Sequence, residues 1–384
     1  MRKLLPLAAL TLLTPFTYGP VALAQASANL AAGKTQPSPL APSEIVAAAP
    51  KGDWVAIAAS DLLVMDLAPD AKGKPRRVVI QLMPAPFSQG WIGNIRKLAS
   101  AHWWDGLSIN RVQDNYVVQW GDGNGEDPKK ARALPNGLAK PPLVGMADDD
   151  YQPRDAKGEL IEYHGPERTG FRGDYTDNGY AVAINDLFPE LRGLESKDFV
   201  DALLQIWWGT KIGLIPYADH LQEDAYSDWT NFYRGWPVTL VFSDSVVVPH
   251  CYGMVGVGRD MPPNSGTGAE LYTVIGHAPR HLDRNIALVG RVVVGIEHLS
   301  SLPRGTGPLG FYEKAGERTG IKAIRLGTEV AGLPAYEYLS TDSTSFAKYA
   351  DARANRRDAF FIRPAGGADI CNIPVPVRRV VLAK

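Results

Sequence analysis

Apolar and polar positions alternate along much of this chain in short runs, each closed off by glycine, proline or aspartate. That pattern belongs to β-strands with one buried face. The first runs are "DLLVMDL" (61–67) and "RRVVIQLM" (76–83). "LSINRV" and "NYVVQW" read as a strand pair joined at "QDN". In the second of these, a period of two puts Val117 and Gln119 on one face and Tyr116 and Val118 on the other. Strand signals return in "VTLVF", "SVVVPHCYGMVGVG", "ELYTVIG", "IALVGRVVVG" and "GIKAIRLG". Helical spacing is rarer. "SQGWIGNIRKLASAHWW" places Trp91, Ile95, Leu98 and His102 on one helical face, with Ser88 as the cap. "SKDFVDALLQIWWG" (196–209) predicts a second helix and "STSFAKYADARANR" a third. The chain is therefore mainly β, and it shows no internal repeat.

Residues 123–237 differ in texture, with clusters of Asp, Pro and Gly. The chain divides accordingly: a targeting segment over 1–24, a linker over 25–45, a first β-rich part over 46–122, an insertion over 123–250, a second β-rich part over 251–330 and an extension over 331–384. The targeting segment has Arg2 and Lys3, an apolar stretch to about Tyr18 and a small-residue site "ALAQ" at 22–25, as in a secretory signal peptide. Pro6 and Pro15 interrupt the apolar stretch and argue against a retained anchor. Export to a periplasm follows, with no stable membrane insertion after cleavage.

The 384 residues carry a formal net charge of −1, which gives no electrostatic footprint for nucleic acid. Two cysteines, Cys251 and Cys371, are candidates for one disulfide in an oxidising compartment; two buried thiols are the alternative. "DGNGE" resembles the start of a calcium loop but lacks the twelfth-position acid. His277 and His281 stand four apart with Pro279 between them, which breaks the helical face a metal pair needs. His250 and Cys251 are neighbours on a strand and point to opposite faces. No nucleophile elbow, phosphate loop or dinucleotide fingerprint is present. No metal or cofactor is expected. What remains is Arg111, a lone cation in an apolar strand pair, with Gln119 in the partner strand. A charge there is costly unless paired, solvated or used.

Four blocks carry a resemblance: "RRVVIQLMPAPFSQGWIGNIRKLA", "WWDGLSINRVQDNYVVQWGD", "NSGTGAELYTVIGHAPRHLDRN" and "LVGRVVVGIE". In that order they resemble the cyclophilin family of peptidyl-prolyl isomerases. The second is the most specific: Ile109-Asn110-Arg111 and Gln119-Trp120-Gly121-Asp122 stand where the family has Phe-His-Arg and Gln-Gly-Gly-Asp. The resemblance covers about 80–122 and 251–299 and leaves 123–250 and 331–384 outside it.

It implies a closed eight-stranded antiparallel β-barrel with two capping helices, carrying a large mixed insertion and a C-terminal extension. It implies a peptide groove on the outer face. Arg111 falls on the catalytic arginine and Gln119 on a groove glutamine. Tyr116, Val117, Tyr272 and Leu282 fall on pocket positions, and Val255 and Gly256 on backbone contacts to the peptide. His281 falls where some members have tryptophan. Glu270 replaces a groove glutamine and is expected to pair with Arg111. The implied activity is isomerisation of X–Pro bonds in exported proteins by a monomer. The alternative is a catalytically weak barrel that binds peptides or serves assembly.

Overall fold

The computed structural model describes residues 39–141, 182–183, 224, 226–227, 229–241, 245–262 and 264–380. The targeting segment and the helix expected over 196–209 lie outside these residues. In chain order the strands are β1 (Trp54–Ile57), β2 (Leu62–Leu67), β3 (Arg76–Leu82), β4 (Ser108–Val112), β5 (Val117–Gly121), β6 (Val182–Ala183), β7 (Trp229–Tyr233), β8 (Trp236–Val241), β9 (Ser245–Val247), β10 (Met254–Val257), β11 (Leu271–Val274), β12 (Leu288–Val294), β13 (Ile321–Leu326), β14 (Tyr336–Leu339) and β15 (Val377–Arg379).

Eight of them form one antiparallel sheet in the order β13-β2-β3-β12-β10-β11-β5-β4. Its two ends meet. Ile109 N donates to Thr319 O at 2.8 Å and Ile321 N to Leu107 O at 2.7 Å, and Ser108 bridges Gly320. The sheet thus comes close to a closed barrel, which removes exposed edges. The run "SVVVPHCYGMVGVG" splits into β9 and β10. Pro249 cannot donate to a ladder, and Gly253 turns the chain with a φ of 82°.

Alternation drives the inward residues of every barrel strand into one core. Met65, Val78, Ile80, Ile109, Val118, Trp120, Val255, Leu271, Val289 and Ile324 meet there. The helix Gln89–Ser100 caps it with Trp91, Ile95 and Leu98. Burying side chains of this kind contributes about 1.5–3 kcal/mol each. His102 does not share that face: it is exposed, past the helix end, with a φ of 53°. Ser88 does take the N-cap position, but its hydroxyl donates to Leu288 O at 2.6 Å instead of capping a helix N–H. The second capping element is one turn of helix, Glu297–Ser300, which sends Leu299 into the core.

A second cluster forms beside the barrel. The helices Pro42–Ala48 and Thr344–Ala354 pack with Trp54, Leu339 and Ile373, on the sheet β1-β14-β15. The stretch read as a linker up to 45 therefore turns helical at Pro42, whose fixed φ suits the first helical position. The extension is a packed unit joined by an N-terminal element. The insertion supplies the sheet β6-β9-β8-β7.

Arg291 of β12 sits where barrel, insertion and extension meet. Its Nε and Nη2 donate to Gln81 Oε1 at 3.0 and 2.8 Å, and Nη1 donates to Gly235 O at 2.7 Å. Trp236 and Tyr338 lie against its guanidinium, with ring centroids 4.5 and 5.8 Å away. Burial pushes this cation down to about 10. The 120-residue span from Cys251 to Cys371 is closed by a disulfide, with Cα atoms 5.0 Å apart. The tail is thereby bonded to the barrel. Among the described residues no helix is long and apolar enough to cross a membrane.

Candidate functional site

The hairpin β4–β5 sets the first two residues of the site side by side. Arg111 pairs with Gln119 across the ladder, next to an irregularity between Ile109 and Arg111. That step turns Arg111 outward while Ile109 and Val112 remain buried. The guanidinium is held at several points. Nε donates to Leu309 O at 2.7 Å, Nη1 reaches Gln119 Oε1 at 3.4 Å, and Nη2 donates to Gln113 Oε1. Two rings flank it, Tyr116 at 5.6 Å and Phe311 at 5.4 Å. Tyr116 in turn stacks on His281, with centroids 6.3 Å apart. The result is a row: Phe311, Arg111, Tyr116, His281. Burial lowers the Arg111 guanidinium from its ordinary value, and no carboxylate pairs with it among the described residues.

The apolar part of the site lies on the outer face of β5 and β11. Val117 faces Val274 and Gln119 faces Tyr272 across the ladder. Val117, Tyr272 and Val274 form one cluster with Tyr116 and Ile286 packed against it. Tyr116 thus shares a face with Val117 rather than with Val118. Asn115 takes a left-handed φ of 49° and Gln113 N bonds to Val117 O, so strict alternation starts only at Val117. Leu282 sits half-buried on the turn Arg280–Leu282, outside that cluster. Val255 turns its side chain into the barrel core. Gly256 lies opposite Tyr272, and a Cβ there would meet the Tyr272 Cζ and Oη at 2.3 Å.

Glu270 corrects an expectation. It does not pair with Arg111. Its Oε1 accepts from Asp122 N at 2.6 Å, and the Gln119 side chain donates to it as well. Its carboxyl packs on Gly121, where a Cβ would lie 2.1 Å from Oε1. Burial first, then the nearby Asp122 charge, pushes the acid up from 4.5 to about 8. Physically, the site one strand inward is too desolvated for a carboxylate to reach outward to a cation that is already bonded. The "DGNGE" run folds as a turn. Asp122 Oδ1 accepts from Asn124 N at 2.9 Å and Oδ2 from Arg132 N at 2.6 Å.

Several residues of the site carry no local signal. Leu309 and Phe311, 66% and 38% exposed, come to Arg111 from a Gly-rich loop nearly two hundred positions away. Under the apolar cluster, the Tyr272 hydroxyl lies 2.7 Å from His250 Nε2, and His250 Nδ1 lies 3.0 Å from Asp283 Oδ1. The strand-neighbour reading of His250 and Cys251 misses this, because His250 finds its partners across the fold. Chemically, the site offers a fixed, unneutralised cation and an amide beside an apolar cluster.

No protein-family model matches the sequence, and no curated protein matches it. Among solved structures, the cyclophilin AquaCyp293 from Hirschia baltica is similar at a TM-score of 0.51 and 18% identity, over 86% of this chain and 95% of that one. Such coverage extends beyond the barrel segments into the insertion. A Cryptosporidium parvum cyclophilin-type peptidyl-prolyl cis-trans isomerase aligns at a TM-score of 0.32 and 10% identity, over 69% of this chain and 97% of that one. Its structure in the presence of the dipeptide Ala-Pro aligns at 0.31 and 9%, over 68% and 98%. At 18% identity the first likeness speaks for the fold alone. With the eight-strand order, the capping helix and the outer-face hairpin that carries Arg111, it identifies this chain as a protein of the cyclophilin-type fold.

Proposed function

We propose that this chain is a peptidyl-prolyl cis-trans isomerase that acts on X–Pro bonds of exported proteins. Rotation about such a bond crosses a barrier of about 18–20 kcal/mol set by amide resonance. Nothing is made or broken, so neither base nor nucleophile is needed. Twisting localises a lone pair on the prolyl nitrogen. A guanidinium aimed at that nitrogen stabilises the twisted state more than the planar one. Arg111 takes this role, Gln119 orients the peptide carbonyl, and Tyr116, Val117 and Tyr272 receive the ring. Val255 and Gly256 offer backbone contacts to the peptide, and His281 and Leu282 complete the groove.

The observation that carries this reading is Arg111 itself. A half-buried guanidinium fixed by Leu309 O and Gln119, flanked by two rings and unpaired with any carboxylate among the described residues, is held ready beside an apolar cluster. The mature chain works as a monomer in a periplasm. Its partners are proline-containing polypeptides.

The second reading is a catalytically weak peptide-binding or assembly module. It is favoured by Glu270, an acid that engages the Gln119 side chain, and by Gln113, which already occupies Arg111 Nη2. A protease-coupled or NMR exchange assay on an Ala-Pro tetrapeptide separates the two. Catalysis of exchange supports the enzyme. Peptide binding without faster exchange supports the module.

A further inference from the structure

Tyr272 is a buried ring of the apolar cluster, and its hydroxyl finds its partner outside that cluster. It is 5% exposed. Its hydroxyl meets His250 Nε2 at 2.7 Å, and the ring crosses Gly256 so closely that any Cβ there would strike it. Burial favours the neutral imidazole. With Nδ1–H donating to Asp283, Nε2 is left to accept from the tyrosine. Asp283 is held in turn. Its Oδ1 accepts from His250 N at 2.7 Å and its Oδ2 from Arg280 Nε at 2.5 Å. Arg280 continues the chain out of the barrel. Its Nη2 meets Asp224 of the insertion at 2.5 Å, and Asp369 of the tail lies 3.5 Å from Nη1. Tyr272, His250, Asp283 and Arg280 are each at most 5% exposed. Every link from the Tyr272 hydroxyl to Arg280 Nε is hydrogen-bonded, and a buried polar chain so bonded holds its members in place, although Arg280 Nη1 itself has no hydrogen-bond partner.

We propose that His250, Asp283 and Arg280 are positioning residues for the groove: they hold the Tyr272 ring down against Gly256 and so shape the hollow that receives the prolyl ring. The insertion and the tail, which meet on Arg280, thereby support the floor of the groove. Glycine at 256 and tyrosine at 272 belong together: one clears the path and the other is drawn along it. The proposal rests on the isomerase reading in assigning a prolyl ring to the hollow.

A ring held in one place serves planar and twisted substrate alike. Its loss therefore acts on KM more than on kcat. Tyr272→Phe removes one oxygen and keeps the ring; Asp283→Asn keeps the shape and removes the charge that fixes the imidazole. Each is expected to raise KM for an Ala-Pro tetrapeptide about threefold to tenfold with kcat changed by less than about twofold. The double variant should be no worse than the worse single one, because both cut the same chain. Additive losses, or an unchanged KM in Tyr272→Phe, overturn the proposal. A second readout does not need activity: the flip rate of the ring at position 272, by NMR. It should rise at least about tenfold in either variant. An unchanged rate overturns the positioning role. If the parent chain does not isomerise the peptide, the isomerase reading falls while the flip rates still decide this one. Should Asp283→Asn fail to fold, Tyr272→Phe carries both readouts.

Discussion

Gln119 stands between Glu270 and Arg111: its amide donates to the buried carboxyl while its Oε1 faces the guanidinium at 3.4 Å. Glu270 therefore fixes which end of the amide the arginine meets, although the acid and the guanidinium do not pair. Since this acid is pushed up from 4.5 to about 8, the folded protein holds its proton through neutral pH while the unfolded chain releases it. The folded state then binds more protons than the unfolded one between those two values, so stability falls as pH rises through that window and levels off above it. Urea melts at about pH 5, 7 and 9 should show this decline. Glu270→Gln, which cannot titrate, should flatten it. Equal slopes in both proteins would remove the assignment.

Arg111→Ala should lower kcat/KM at least about tenfold, or about 1.4 kcal/mol of transition-state stabilisation. Arg111→Lys should also be impaired. A lysine cannot bond Leu309 O and face Gln119 at once in a planar fork, nor stack between Tyr116 and Phe311 as a guanidinium does. Exchange on the Ala-Pro tetrapeptide measures both. An alanine variant as fast as the parent would defeat the proposed mechanism.

Reducing the bond between Cys251 and Cys371 should destabilise the protein by about 2–4 kcal/mol, because it closes a long loop. The tail should loosen before the barrel melts, since its own small core joins the rest partly through this link. Thermal melts with and without reductant, alongside Cys371→Ser, give the difference. Coincident melts would show that packing alone holds the tail.

Arg291→Ala should cost about 1–3 kcal/mol for each buried acceptor it leaves without a donor. It would strand Gln81 Oε1 and Gly235 O and open a gap between Trp236 and Tyr338. Arg291→Met, which fills part of the gap, should cost less. Denaturant midpoints rank the three proteins, and a parent-like alanine variant would refute this role.

Local patterning was enough to determine the strands β2 to β5 and β10 to β13, the apolar face of the helix Gln89–Ser100, and Arg111 beside Gln119. Periods of two and 3.6, turn residues and hairpin register are short-range properties that a sequence carries openly. The cysteine pair was legible because only two thiols exist. Tertiary structure alone decided the rest. Phe311 and Leu309 reach Arg111 from the far end of the chain, and His250 finds Asp283 and Tyr272 through the barrel wall. Glu270 meets Gln119 in place of Arg111, and Tyr116 changes face because Asn115 turns left-handed. A buried polar group takes whichever partner the closed barrel brings within hydrogen-bond reach, and that choice exists only after distant strands have met.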